Sequence, residues 1–199
     1  MKLNKPRKVI DIVACDGASD FLYVNKVMPD VIIGDLDGIT KRTLEYYKRK
    51  KVSIKKVVNQ NRNDLEKALG YAVLKKYRRV YVIGFSGKRF DHTLNNLSVL
   101  KKFHKKCDLR LYDNQFEMIF VNRKIEFDYR KGRVVSLIPM PEAGGVTTKG
   151  LKYALKNEKL EFGIREGALN ESIGDRVSIS VKKGLLLVIK EHFGEDIIR

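Results

Sequence analysis

Through the first half of the chain, short apolar runs alternate with longer stretches in which apolar residues recur every three or four positions. Val9-Ile-Asp-Ile-Val-Ala14, Val31 to Ile33, a segment near Val52 to Val58, Val80 to Ile83 and Leu109 to Tyr112 read as strands. Between them, Ser19 to about Val27, Thr40 to Lys50 and Asp64 to Tyr77 read as helices, the last with Leu65, Leu69, Ala72 and Val73 on one face. A further helix carries Leu94, Leu97, Leu100 and Phe103 at helical spacing. Such alternation predicts a mostly parallel sheet flanked by helices. After about Glu117 the helical period stops. Glu117 to Val121, Ile125 to Tyr129, Val134 to Ile138, Val177 to Val181 and Leu185 to Ile189 are short runs separated by Gly, Asn and Pro, the pattern of an all-β module. Lys183-Gly184 reads as a hairpin turn between the last two. The expected organisation is an α/β domain over residues 1–122 followed directly, without a flexible linker, by an all-β domain over residues 123–199.

Several of the strands end in acids. Pro29-Asp-Val-Ile-Ile-Gly-Asp-Leu-Asp-Gly38 is an apolar run closed by a glycine and two carboxylates, Asp35 and Asp37, and Asp16-Gly17 closes the strand before it. In open α/β sheets, ligands bind beyond the carboxyl ends of the strands. Two acids separated by one residue can both reach a divalent cation, and Mg²⁺ takes carboxylate oxygens together with substrate phosphates. A plain turn would favour the same residues. Asn63 followed by Glu66 resembles a capping box, which leaves Asp64 in the first helical turn to face the dipole or a metal. Gly84-Phe-Ser-Gly-Lys-Arg-Phe-Asp-His92 is a glycine-containing loop opening a helix. Its backbone and Arg89 suit an anion, with Asp91 either capping the helix or touching a metal.

Composition narrows the class. The 199 residues are 43% hydrophobic, enough for a proper core, and no apolar stretch reaches the length of a membrane span, so the expected protein is cytoplasmic and has no membrane partner. Cys15 and Cys107 are too few and too far apart for a disulfide framework or a zinc site. The 41 Lys and Arg against 24 Asp and Glu give a net charge of +17, which suits polyanionic ligands. The basic clusters Lys48 to Lys51, Lys55-Lys56, Lys75 to Arg79 and Lys101 to Lys106 lie mostly on or just after helices, where lysine complements the helix dipole.

Taken together, these segments resemble the thiamin pyrophosphokinases over nearly the whole chain. Cys15-Asp-Gly-Ala18 is similar to that family's Ala-Asp-Gly-Gly/Ala, and Pro29-Asp-x-Ile-Ile-Gly-Asp-Leu-Asp37 to its Pro-Asp-x-x-x-Gly-Asp-x-Asp-Ser. Asn59-Gln-Asn-Arg-Asn-Asp-Leu-Glu-Lys-Ala68 resembles Asp-Gln-x-x-Thr-Asp-x-x-Lys-Ala, and Gly84 to His92 resembles Gly-x-x-Gly-Gly-Arg-x-Asp-His. Gly150-Leu-Lys-Tyr153 and Gly167-Ala-Leu-Asn-Glu171 look like Gly-Leu-x-Tyr and Gly-x-Ser-Asn-Glu. The resemblance implies an α/β domain for nucleotide and metal, a β-sandwich for the acceptor, and a homodimer with thiamin pockets between subunits. It implies transfer of the pyrophosphoryl group of ATP to the thiamin hydroxyl. Asp35, Asp37 and Asp64 would bind Mg²⁺, Arg89 and Gln60 would hold phosphates, Asp16 and Asp91 would complete the site beside Asn63, and Leu169 and Asn170 would meet the acceptor, with Tyr153, Phe162 or Phe193 to stack on it.

The departures bear on the acceptor. Leu169 stands in place of Ser and the chain has no Trp, so a pyrophosphokinase acting on another heterocyclic alcohol, such as a pterin, is the alternative within the same chemistry. Asp35-Leu-Asp-Gly38 also looks like the motif of haloacid-dehalogenase-like phosphatases, but no downstream acidic pair accompanies it. A basic nucleic-acid-binding protein is the alternative from another class, and no helix-turn-helix, finger or aromatic RNA-binding motif supports it.

Overall fold

A computed structural model describes residues 10–87 and 89–192; Val9, Lys88 and Phe193 lie outside them. The chain forms two compact units, Met1–Tyr77 and Arg78–Arg199. In the first, β1 (Val13–Cys15), β2 (Val31–Gly34) and β3 (Ser53–Lys56) make a parallel sheet in the order β1-β2-β3. They alternate with α1 (Ala18–Val24), α2 (Lys41–Arg49) and α3 (Asp64–Leu74), as the apolar period predicts. The helix starts are chemically marked. Thr40 accepts from the Thr43 N–H at 3.3 Å, and Asn63 accepts from the Glu66 N–H at 2.9 Å, giving α3 the cap expected of it. Ala14, Ile32, Ile39 and Tyr47 form a buried cluster against which Leu22, Leu36, Leu44 and Ile54 pack. Lys48 and Arg49 lie in the last turn of α2, where they complement the helix dipole.

The second unit opens with β4 (Arg79–Ile83), α4 (Phe90–Phe103) and β5 (Asp108–Tyr112), and β4 pairs with β5 in parallel. From there the pairing changes sense. β5 runs antiparallel to β6 (Phe116–Val121), so β4 and β5 are part of one nine-stranded sheet with the all-β segments instead of extending the small parallel sheet. The other strands are β7 (Lys124–Asp128), β8 (Val134–Lys149), β9 (Glu158–Glu161), β10 (Gly167–Glu171), β11 (Arg176–Ser180) and β12 (Lys183–Glu191). The expected boundary near Asn122 falls inside this unit, between β6 and β7.

β8 holds the sheet together. Its 16 residues pair in turn with β10, β12, β9 and β11, and the alternation along it buries Val135, Leu137, Ala143 and Val146 with Val177, Ile179, Leu186 and Val188. The apolar pattern ended this strand at Ile138 because Pro139, Pro141 and Gly144-Gly145 are strand breakers. The strand continues through them, with register irregularities toward both β9 and β12. β9 and β10 carry no apolar alternation, so the sequence pattern does not mark them as strands. Lys183-Gly184 is not a hairpin turn: β12 starts at Lys183 and pairs with β6 and β8, whereas β11 pairs with β7 and β8. Gly184 serves a close approach instead, with φ of 90° and the Glu142 carbonyl oxygen 2.2 Å from where a Cβ would stand.

Candidate active site

In the first unit the sheet delivers its acids to one edge. β1 and β2 pair Cys15 with Ile33, so their carboxyl ends finish level, and the Asp16 N–H donates to the Ile33 carbonyl at 3.0 Å. Asp16 and Asp35 therefore leave adjacent strands side by side. Leu36, between Asp35 and Asp37, adopts φ of 70°, a left-handed conformation that is strained for leucine and is held by its packing on the Ile32 and Tyr47 cluster. Oxygens of Asp16, Asp35 and Asp37 lie within 4.8 Å of one another. Gly34 permits this approach. A Cβ there would stand 2.7 Å from Asp16 Cβ and 3.1 Å from Asp64 Oδ1. Gly34→Ala is therefore expected to push an acid out of place and lower turnover at least tenfold while also lowering Tm, which steady-state kinetics and thermal melting would show.

The trio has the donor set and the bare atoms that a hard divalent cation needs. Asp16 is 2% exposed. Its Oδ2 accepts from the Gly38 N–H at 3.0 Å, while its Oδ1 is buried without a partner. Asp35 Oδ1 is likewise buried and unpartnered, and its Oδ2 accepts from Lys67 Nζ at 3.3 Å. Each of these carboxylates thus has one oxygen fixed and one bare. Unpaired buried carboxylate oxygens are costly, so a bound cation is the natural partner. Burial pushes the Asp16 carboxyl above its ordinary range against the lowering effect of the Gly38 N–H, and the charge of Asp64 adds to the rise. Hydrogen bonding with the neighbouring Asp37 carboxyl, and then the Lys67 ammonium, holds Asp35 below it.

Asp64, freed from capping by Asn63, occupies the first turn of α3 and accepts from Lys67 Nζ at 2.8 Å. Lys67 was not anticipated as a site residue. The signal for it was its place three residues after Asp64, which puts both on one helical face. Gln60 is exposed in the turn before α3, where the Asn59 side chain accepts from the Asn61 N–H at 2.9 Å. Cys15 borders the cluster, and burial, with the charges of Asp64 and Asp16, pushes its thiol up to about 12. It is therefore unreactive near neutral pH.

In the second unit, Arg89 and Asp91 form a two-pronged ion pair, Nε to Oδ1 at 3.1 Å and Nη2 to Oδ2 at 2.6 Å, with both side chains exposed. Arg89 itself occupies the cap position of α4, so the capping alternative for Asp91 is not realised. The guanidinium lowers the Asp91 carboxyl to about 2. Asp91 thereby presents Arg89 to solvent in a fixed plane. Elsewhere in this unit Leu169 is 79% exposed at φ of 55°. Asn170 is buried, and its hydrogen bonds go to backbone: Oδ1 accepts from Tyr153 N–H at 3.0 Å and Glu171 N–H at 2.9 Å, and Nδ2 donates to the Tyr153 carbonyl at 2.8 Å. Tyr153 and Phe162 are both well exposed.

Comparison with known proteins agrees with this arrangement. Residues 6–112 match the family model for the thiamin pyrophosphokinase catalytic domain, and residues 121–186 match that for the thiamin pyrophosphokinase vitamin B1 binding domain. A thiamine pyrophosphokinase of Bacillus subtilis is 30% identical over 170 residues, covering 82% of this chain and 79% of that protein. Thiamine pyrophosphokinase 2 of Arabidopsis thaliana is 30% identical over 72% of this chain, which spans 58% of the longer plant protein. The crystal structure of the thiamine pyrophosphokinase from Bacillus subtilis superposes with a TM-score of 0.81 at 26% identity, covering 90% of this chain and 86% of that one. Yeast thiamin pyrophosphokinase shares the fold, with a TM-score of 0.78 at 19% identity over 96% of this chain and 84% of that chain. With both halves matched in order and the acids of the first half gathered at one sheet edge, the chain belongs to the thiamin pyrophosphokinase family.

Proposed function

We propose that this chain transfers the pyrophosphoryl group of ATP to the hydroxyl of thiamin, giving thiamin diphosphate and AMP. The observation that carries the reading is the pair of bare oxygens, Asp16 Oδ1 and Asp35 Oδ1, gathered with Asp37 at the sheet edge of a chain matched in both halves by the family. Asp16, Asp35 and Asp37 would hold Mg²⁺, and the resemblance adds Asp64 to that set. When bound, the ion supplies charge neutralisation on the triphosphate and orientation of its oxygens. Asn63 fixes the start of α3 and so the position of Asp64. Arg89, braced by Asp91, binds phosphate oxygens, and Gln60, exposed before α3, is a further phosphate contact.

Residues 1–122 would carry nucleotide and metal and residues 123–199 the acceptor. The exposed Leu169, Tyr153, Phe162 and Ile164 support an acceptor-binding surface that a second copy of the chain completes as a homodimer. Incubation with ATP, Mg²⁺ and thiamin tests the reading: AMP and thiamin diphosphate should appear in equal amounts, and ATP binding without either product would overturn thiamin as acceptor. Leu169 in place of a hydroxyl residue and the absence of Trp are departures from the family's acceptor motif, but the match of residues 121–186 to the vitamin B1 binding domain supports thiamin over another heterocyclic alcohol.

Arg89→Lys is expected to raise the KM for ATP about tenfold although it keeps the charge. A guanidinium can bond Asp91 and two phosphate oxygens in one plane, and an ammonium cannot. Unchanged ATP kinetics would remove Arg89 from the phosphate site.

A further inference from the structure

Lys67 has a place in this site that its motif alone does not explain. It is a lysine on the buried face of α3, with only 2% of its side chain exposed, and it lies 2.8 Å from Asp64 Oδ1 and 3.3 Å from Asp35 Oδ2. Lysine is almost never buried so completely unless it is paired. Around Gly34, four carboxylates converge, those of Asp16, Asp35, Asp37 and Asp64, and Lys67 is the cation that the described ion pairs place among them. Both of its partners are held through it: Asp35 Oδ2 and Asp64 Oδ1 face the ammonium, and Asp35 Oδ1 is turned away, bare.

We propose that Lys67 is a positioning residue, a built-in counter-ion that holds Asp35 and Asp64 aimed at the site before any metal or nucleotide arrives, and that limits how strongly the carboxylates bind a divalent cation on their own. The proposal rests on the cation site of the proposed function. Two consequences follow from Coulomb's law at these distances. Without the ammonium, four carboxylates face one another uncompensated, so the metal-free protein is less stable. By the same argument a divalent ion, no longer repelled by a fixed positive charge a few ångströms away, binds more tightly. A tight ion on misaimed ligands is a poor catalyst. The pattern is therefore opposite in sign for metal affinity and for turnover, which simple loss of structure cannot produce.

Mn²⁺ titration by electron paramagnetic resonance, without nucleotide or thiamin, reads the first quantity. Lys67→Met should bind Mn²⁺ at least tenfold more tightly than wild type, melt at lower temperature in EDTA, recover most of that loss when Mn²⁺ is added, and lose at least tenfold in kcat. Asp64→Asn/Lys67→Met, which removes the ion pair as a unit and returns the cluster to its original net charge, should melt within a few degrees of wild type in EDTA and bind Mn²⁺ within about threefold of it. Mn²⁺ affinity in Lys67→Met equal to or weaker than wild type would overturn the counter-ion role. Should Lys67→Met fail to fold, the double variant decides: recovery of the fold supports the role, and a double variant that is equally unstable overturns it. Wild-type protein that makes no thiamin diphosphate but shows this Mn²⁺ pattern would overturn the acceptor and leave Lys67 in its role. An active wild type without the pattern would overturn Lys67 alone.

Discussion

Asp35→Asn is expected to lower kcat by about 10²- to 10³-fold, the scale on which losing one electrostatic contact to a developing charge is felt, and to leave the fold intact. The substitution keeps size and shape. It removes the charge from a carboxylate whose Oδ1 is bare and whose Oδ2 faces Lys67. Asp37→Asn should lose a similar factor, since its oxygens belong to the same trio within 4.8 Å. The stability outcome distinguishes a metal site from a structural one. Carboxylates this close repel each other in the metal-free protein, so Asp37→Asn should melt at or above wild type in EDTA, whereas Asp35→Asn, which takes one of two partners from the buried Lys67 ammonium, should melt a few degrees lower; in both, the gain in Tm that Mg²⁺ gives wild type should shrink. Single-turnover kinetics with calorimetry on the same samples checks both halves. Near-normal kcat at saturating Mg²⁺, or a large loss of Tm without metal, would show that these acids hold the turn together instead of a cation.

Sequence and structure agree where local chemistry decides. The strand ending at Gly34, the cap Asn63, and the strand ends bearing Asp16 and Asp35 follow from apolar runs and from residues that punctuate them, whereas the first strand, expected over Val9 to Ala14, spans only Val13–Cys15 among the described residues. The relation between elements was less legible. Nothing in Val80 to Ile83 or Leu109 to Tyr112 distinguishes strands of a small parallel sheet from strands that join β6 in a large one, because that choice is made by which edge the next strand adds to. β8 reads as broken because proline and glycine forbid regular pairing, yet irregular pairing at the junctions with β9 and β12 accommodates them. β9, Glu158-Lys-Leu-Glu161, has three charged residues and is fixed as a strand by its pairing with β8. At the site, the acids were visible because their spacing is chemical. Lys67 was not, because burial of a lysine is a property of the assembled sheet and helix and leaves no mark in composition.

The same lesson governs Asn170, whose replacement by alanine is expected to raise the KM for the acceptor at least tenfold while leaving the KM for ATP within about twofold. The sequence suggested that its amide would meet the acceptor directly. In the structure it brackets the backbone of Tyr153, accepting from its N–H and donating to its carbonyl, and ties the segment after Gly150 to β10 beside the Lys152 N–H bond to the Glu171 carbonyl at 2.9 Å. Tyr153 is 64% exposed, held there by a residue that is itself buried. An aromatic face of this kind suits a cationic ring system. Removing the amide leaves two N–H groups and one carbonyl without their partner, a cost of about 2–3 kcal/mol in stability for a buried site of this kind. The kinetic loss must therefore be separated from the loss of fold. Tyr153→Ala should raise the acceptor KM by a comparable factor with a smaller fall in Tm, and Tyr153→Phe should stay near wild type because the ring, not the hydroxyl, is the contact. If Asn170→Ala melts lower but keeps its acceptor KM per folded molecule, the Tyr153 segment is scaffold and the acceptor binds on another face.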